Sequence, residues 1–205
     1  MMSIVNCYMP VFRFITSFIL EPQEHADYSC FRNKCIQLLQ QARLAAELHH
    51  SPQDCEDANF AVVIWLDEQV LCSEPEWVKQ WRAVLLQSHY FDLSTGGGEF
   101  FSRLDSIDKN NTQLRVVYLF CLLMGFHGKY TQQDAELQKR ISDERRCLPE
   151  QWRQWPNNAP LISDRLNSYG EIKPARKKFR HRKWLILSMV IAVYLIMLIA
   201  GLGSI

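Results

Sequence analysis

The sequence predicts an all-α fold of about seven cytosolic helices followed by one C-terminal transmembrane helix. Three observations carry that reading. Apolar residues recur at helical spacing along most of the chain, while strand-like alternation is scarce. Two stretches, Ser51-Pro52-Gln53-Asp54 and Ser73-Glu74-Pro75-Glu76, have the chemistry of helix starts. The last 22 residues, Trp184 to Ile205, carry no charge and almost nothing polar.

Taken in order, Pro10 is expected to open a first helix that runs to Leu20. Residues 11–20 are apolar, but Arg13 interrupts them and no Lys or Arg precedes them, which speaks for a packed helix over a secretory signal. Phe31, Cys35, Leu38, Ala42 and Ala45 form the stripe of an amphipathic helix over 28–48. The Ser51 start leads into a helix to about Leu71. Its middle, Phe60 to Leu66, is apolar on every side and is therefore expected at the centre of the bundle. A further helix follows the second start and carries Trp77, Trp81, Val84 and Leu85. Gly96-Gly97-Gly98 breaks the chain before a short helix with Phe100, Phe101 and Leu104. Asn110 or Asn111 is placed to cap a helix over 112–126, with Gly125 and Gly128 suited to ending it. Thr131 is expected to start a polar helix with Ala135, Leu137 and Ile141 as its apolar positions. Pro149, Pro156 and Pro160 then mark an irregular arm. The resulting division is a helical domain over 1–147, an arm and basic collar over 148–183, and an anchor over 184–205.

Charge separates sharply along the chain. Residues 1–172 hold 16 Lys and Arg against all 22 Asp and Glu, a net of −6. The collar of Lys173, Arg176, Lys177, Lys178, Arg180, Arg182 and Lys183 supplies the other seven cations. About 20 apolar residues cross a bilayer core, and a basic flank stays on the cytoplasmic side. The expected topology is an N-terminus in the cytosol, a single C-terminal span and a C-terminus on the far side of the membrane. The collar suits anionic lipid. An acidic domain is a poor match for nucleic acid, whose phosphates need clustered cations. Within the span, Ser188 and Ala192 lie four apart, a small-residue face on which two spans could meet as a homodimer.

No catalytic or cofactor motif emerges. The glycine triplet lacks the Lys-Ser/Thr of a phosphate loop and fails GxGxxG, and there is no HExxH or GxSxG. No cofactor and no metal are expected. The seven Cys have no CxxC spacing and read as free thiols, several of them as small core hydrophobes. Asp67-Glu68 is the carboxylate pair inside an apolar helix. Neighbours on a helix point about 100° apart, so the two cannot serve as a catalytic dyad. An internal pairing with Lys or Arg, or a contact to a partner, remain as the two readings of that pair.

Three stretches carry a resemblance to a known family: AVVIWLDEQVL over 61–71, WRAVLLQSHYFDLSTGGGEFFSRL over 81–104, and VVYLFCLLMGFHGKY over 116–130. In order and spacing they resemble the DotU/IcmH/TssL family of type VI secretion and type IVB Dot/Icm systems. The resemblance implies two packed helical bundles in the cytosolic domain and no enzymatic activity. It implies a membrane complex with a large TssM/IcmF-like protein and docking of baseplate proteins such as TssK. It points to Asp67, Glu68, Glu99, Lys129 and Tyr130 as partner-contact candidates. Two departures stand out: Arg115 occupies a region where the family often carries an acid, and His127 stands where many members have Glu or Gln. No peptidoglycan-binding extension is expected. A DotU/IcmH subunit of a type IVB system is the alternative assignment; a tail-anchored enzyme or regulator is the alternative from another class.

Overall fold

In the computed structural model, which describes residues 2–153, the chain is helical throughout its ordered elements: α1 Ile4–Leu20, α2 Tyr28–Glu47, α3 Pro52–Ser73, α4 Val78–Ala83, α5 Leu86–Phe91, α6 Gly97–Ser106, α7 Thr112–Leu123, α8 Asp134–Arg146 and a short α9 Glu150–Arg153. Two 3-10 turns, Pro22–His25 and Gly128–Tyr130, join them. The basic collar, the anchor and the Ser188/Ala192 face lie outside the described residues.

The centre is α3. It packs against α1, α2 and α7 along its length and against α4, α5 and α6 at its sides. The expectation for Phe60 to Leu66 holds, since every residue from Ala58 to Asp67 is buried. Ser51 caps the helix: its hydroxyl accepts from the Asp54 N–H at 3.1 Å. The α2 stripe of Phe31, Cys35, Leu38 and Ala42 is buried as expected, and Ala46 joins it. Asn111 caps α7, its Oδ1 accepting from the Leu114 N–H at 3.3 Å. The buried apolar side chains form one continuous cluster from Ile4 to Leu148.

Several elements depart from the sequence expectation. The first helix starts at Ile4, and Pro10 sits inside it. An internal proline costs about 3 kcal/mol in a helix. Here Ile4, Val5, Cys7 and Tyr8, all ahead of it, are buried. Each fully buried large apolar side chain contributes about 1.5–3 kcal/mol, so burial wins. Pro10 and Asn6, whose carbonyl loses its helical partner, both lie on the exposed stripe, where water can serve that carbonyl. The helix expected around Trp77 to Leu85 is instead two short ones, α4 and α5, broken at Val84–Leu85. The last long helix starts at Asp134 rather than Thr131, and Ala135 is exposed; Leu137, Ile141 and Glu144 face the core. Leu148 is buried and α9, Glu150–Arg153, follows it.

All seven cysteines are free, with Cys7, Cys35, Cys55 and Cys121 buried. Burial pushes these four thiols up, the state of inert core residues.

Candidate functional site

One stretch of α3, Trp65 to Gln69, organises the loops around it. The Asp67 carboxylate is 2% exposed. Its Oδ1 accepts from the Trp81 indole N–H at 2.9 Å and from the Leu86 N–H at 3.1 Å; its Oδ2 accepts from the Gln87 N–H at 2.8 Å. Leu86 and Gln87 are the first residues of α5. The first N–H groups of a helix have no partner within it and carry its partial positive charge. Asp67 therefore caps α5 from a different helix, and α5 must begin where that carboxylate is. This explains the break at Val84–Leu85.

Glu68, one residue on, does the same for a second segment. Its Oε1 accepts from the His127 N–H at 2.7 Å and its Oε2 from the Gly128 N–H at 2.9 Å. The His127 ring, Nδ1 3.6 Å from Oε1, adds an ion pair whenever it is protonated. On the other side of the same turn, the Trp65 indole donates to the Met124 carbonyl at 3.1 Å and the Gln69 amide to the Gly125 carbonyl at 3.1 Å. Thus α3 satisfies the open carbonyls that end α7 and the open amides that begin the next turn.

Between these fixed segments lies a cleft of about 380 Å³. Ile64, Leu71 and Phe126 give it apolar walls, and Asp67, Glu68, Lys129 and the glycine triplet line it. Gln87 connects the parts: its side chain donates to the Ser94 carbonyl at 3.0 Å, drawing the glycine turn against α3. The approach is close. A Cβ on Gly96 would lie 2.2 Å from Ile64 Cδ1 and 2.8 Å from Gln87 Oε1. Gly128, at φ 53°, faces Gly97 across the cleft, and a Cβ there would lie 3.0 Å from the Gly97 carbonyl oxygen. The glycine triplet, which breaks the chain before a short helix as expected, thus brings a helix start close onto its neighbours.

Of the residues singled out from sequence, Asp67, Glu68 and Lys129 line this cleft. Asp67 is an internal cap rather than a surface group, and neither acid bonds a Lys or Arg among the described residues; N–H donors hold both instead. Burial is the largest influence on Asp67 and pushes its carboxyl up to about 6; the Gln87 and Leu86 amides and the Trp81 indole pull the other way. Lys129 is exposed, its ammonium 5.1 Å from the Phe101 ring centre. Tyr130 packs edge-on against the same ring at 4.8 Å. Glu99 points away along α6 and pairs with Arg103 at 3.3 Å, while Arg103 reaches Asp57 on α3 at 3.0 Å. Gln69 and Gln87 were not singled out; a lone glutamine carries no signal in sequence that it serves a distant backbone.

A second polar network fastens α8. Arg115 of α7 is 5% exposed and donates to Glu144 at 2.6 Å and to the Ile107 carbonyl at 2.7 Å. Arg140 joins Glu144 at 3.0 Å and Asp105 at 2.6 Å. The departure noted at Arg115 is thus a buried structural cation. Among the described residues, no group of three or more His, Cys, Asp or Glu is placed to hold a metal ion.

The geometry has close counterparts. The family described as "Type VI secretion system protein DotU" matches residues 3–204. Among solved structures, the cytoplasmic domain of TssL from Acinetobacter baumannii is 26% identical, with a TM-score of 0.60 over 70% of this chain and 97% of that one. SciP/TssL from enteroaggregative Escherichia coli 042 is 24% identical, with a TM-score of 0.58 over 71% of this chain and 88% of that one. TssL from Vibrio cholerae is 20% identical, with a TM-score of 0.60 over 71% of this chain and 94% of that one; at these last two identities the likeness is one of fold. None of the curated proteins compared matches the chain.

Proposed function

We infer, because the chain belongs to the DotU family of type VI secretion system proteins, that its helical domain is the cytosolic docking head of an inner-membrane subunit. The likeness to a TssL cytoplasmic domain supports the location of that head. Among the described residues no helix is long and apolar enough to cross a membrane. The stretch with both properties is 184–205, with the basic collar on its cytoplasmic side and anionic lipid beneath it. In this reading the span and arm join a TssM/IcmF-like membrane protein, with Ser188 and Ala192 available for a homodimer seam. The head receives baseplate proteins such as TssK.

The observation that carries the docking role is the cleft. Its walls are set by buried caps rather than by mobile side chains, so it presents a fixed shape with little ordering cost on binding. Asp67, Glu68 and Gln87 are engaged in holding that shape, while Lys129 stands exposed at its edge, an arrangement that suits recognition.

Changing two residues that line the cleft tests this. A Cβ at Gly98 meets nothing within 4 Å, so Gly98→Leu projects into open space. In the full-length chain Gly98→Leu and Lys129→Glu should leave the melting temperature within a few degrees of wild type and lower copurification of baseplate proteins roughly tenfold, a change of about 1.4 kcal/mol. Undiminished copurification with both variants would overturn the cleft as the docking site. Copurification with Dot/Icm core proteins in place of baseplate proteins would move the assignment to a type IVB system.

A further inference from the structure

We propose that the groove between α7 and α8 is a second docking surface, for a segment of another protein that carries a carboxylate beside aliphatic side chains. It is separate from the α3 cleft and lies on the other side of the Gly125–His127 turn.

The argument begins with the two stripes of α8. Leu137, Ile141 and Glu144 follow helical spacing and pack inward. Gln138, Ser142 and Arg145 form the adjacent stripe, each one residue further on. That stripe and the end of α7 at Leu122 and Leu123 enclose a groove of about 330 Å³. Such a volume lies at the lower end of what binding pockets offer, about 300–1,000 Å³.

Arg145 distinguishes this groove from an ordinary seam between helices. Its Nε is buried and finds no acceptor. No carboxylate among the described residues pairs with it, whereas its neighbours Arg140 and Arg146 pair with Asp105, Glu144 and Asp143. Burial, the one influence on it, lowers its affinity for the proton that makes it a cation. A guanidinium held partly out of water with no counter-charge is a standing cost. A carboxylate that enters the groove removes that cost and gains a two-pronged, charge-assisted hydrogen bond. The aliphatic edge of Leu123, beside Leu122, Leu137 and Ile141, borders the same groove and gives aliphatic side chains of the segment a place next to that carboxylate.

A protein segment fits better than a lipid surface. Anionic membranes are held by clusters of unbalanced cations, whereas on this helix Lys139, Arg140, Arg145 and Arg146 are matched in number by Asp134, Glu136, Asp143 and Glu144. The requirement is for one carboxylate at a fixed place next to apolar side chains.

The test uses the full-length chain in its membrane. A photoreactive amino acid replaces the exposed Gln138 at the groove's rim, and crosslinked peptides are sequenced. The expected product joins Gln138 to an Asp- or Glu-containing aliphatic segment of another protein. Arg145→Glu should reduce its yield roughly tenfold, and exchanging the mapped carboxylate for arginine in the partner should restore it. Arg145→Met should melt at or above the wild-type temperature, since it removes an unpaired cation from a half-buried place. Crosslinks to residues 154–205 of the same chain, to a second copy, or to lipid would overturn the proposal. So would a yield indifferent to Arg145→Glu, or a lower melting temperature in Arg145→Met.

Discussion

Asp67 and Glu144 are both buried acids, and the protein neutralises them in opposite ways. Glu144 sits between two guanidinium groups, Arg115 at 2.6 Å and Arg140 at 3.0 Å. Asp67 has three N–H donors and no ion pair. The first arrangement ties two helices together by their side chains. The second fixes where a backbone segment must start. Opposite charges are demanding in partner identity but tolerant of backbone detail; amide donors come from any residue type but dictate main-chain geometry. The α8 attachment is therefore written in side chains, and the cleft is written in backbone.

Removing one charge from the paired region should have the largest effect. Arg115→Met leaves Glu144 buried with one cation fewer and the Ile107 carbonyl without its donor, at a cost of about 3–5 kcal/mol. Adding Glu144→Leu should recover most of it, because an apolar pair of similar volume replaces the ionic one. Urea denaturation of the two single variants and the double variant measures this coupling. Equal, additive losses would show that the two residues act separately.

Asp67→Ala comes next. It orphans three buried donors and should cost about 3 kcal/mol at pH 7. The size of that loss should depend on pH in a definite direction. Because the folded-state carboxyl is raised to about 6 from an ordinary 3.8, the folded chain holds a proton that the unfolded chain has lost between those values. The Asp67 contribution is then greatest below pH 4 and declines as pH rises to 6. The gap between wild type and Asp67→Ala should be about 2 kcal/mol wider at pH 4 than at pH 7. A gap that narrows on acidification would show the three donors outweighing burial.

Glu68→Gln should be the mildest, about 1 kcal/mol, since the amide keeps one acceptor for the turn at His127 and Gly128. Its signature is local: faster hydrogen exchange at those two amides with α8 protection unchanged. Protection lost throughout α8 would mean that the two regions are not independent.

Much of the fold was legible because it rests on local rules. The Phe31–Ala42 stripe, the Ser51 cap and the all-apolar middle of α3 each follow from residues within a turn or two of one another. The Asp67-Glu68 pair was visible as an anomaly, a charge pair in an apolar helix, and Gly96 to Gly98 as a break. What those residues do was not visible. Asp67 meets Leu86 and Gln87 from 19 and 20 residues away, and Glu68 meets Gly128 from 60. No spacing rule links such positions, so local pattern alone predicts a helix that carries on through Val84 and Leu85. Pro10 misled for the complementary reason: its local penalty is real, but the side chains buried ahead of it outweigh it only once the core exists.

The sequence by itself determined the helical class, the central place of α3 and the partition of charge between an acidic domain and a basic collar. Each depends on composition or on periods of three and four residues. Only the tertiary structure decided where α5 begins, which amides the two acids hold, that Arg115 belongs to Glu144, and that Arg145 has no counter-charge among the described residues. Each of these is a question of which groups lose their water together, and that is settled by the packing of segments far apart in the chain.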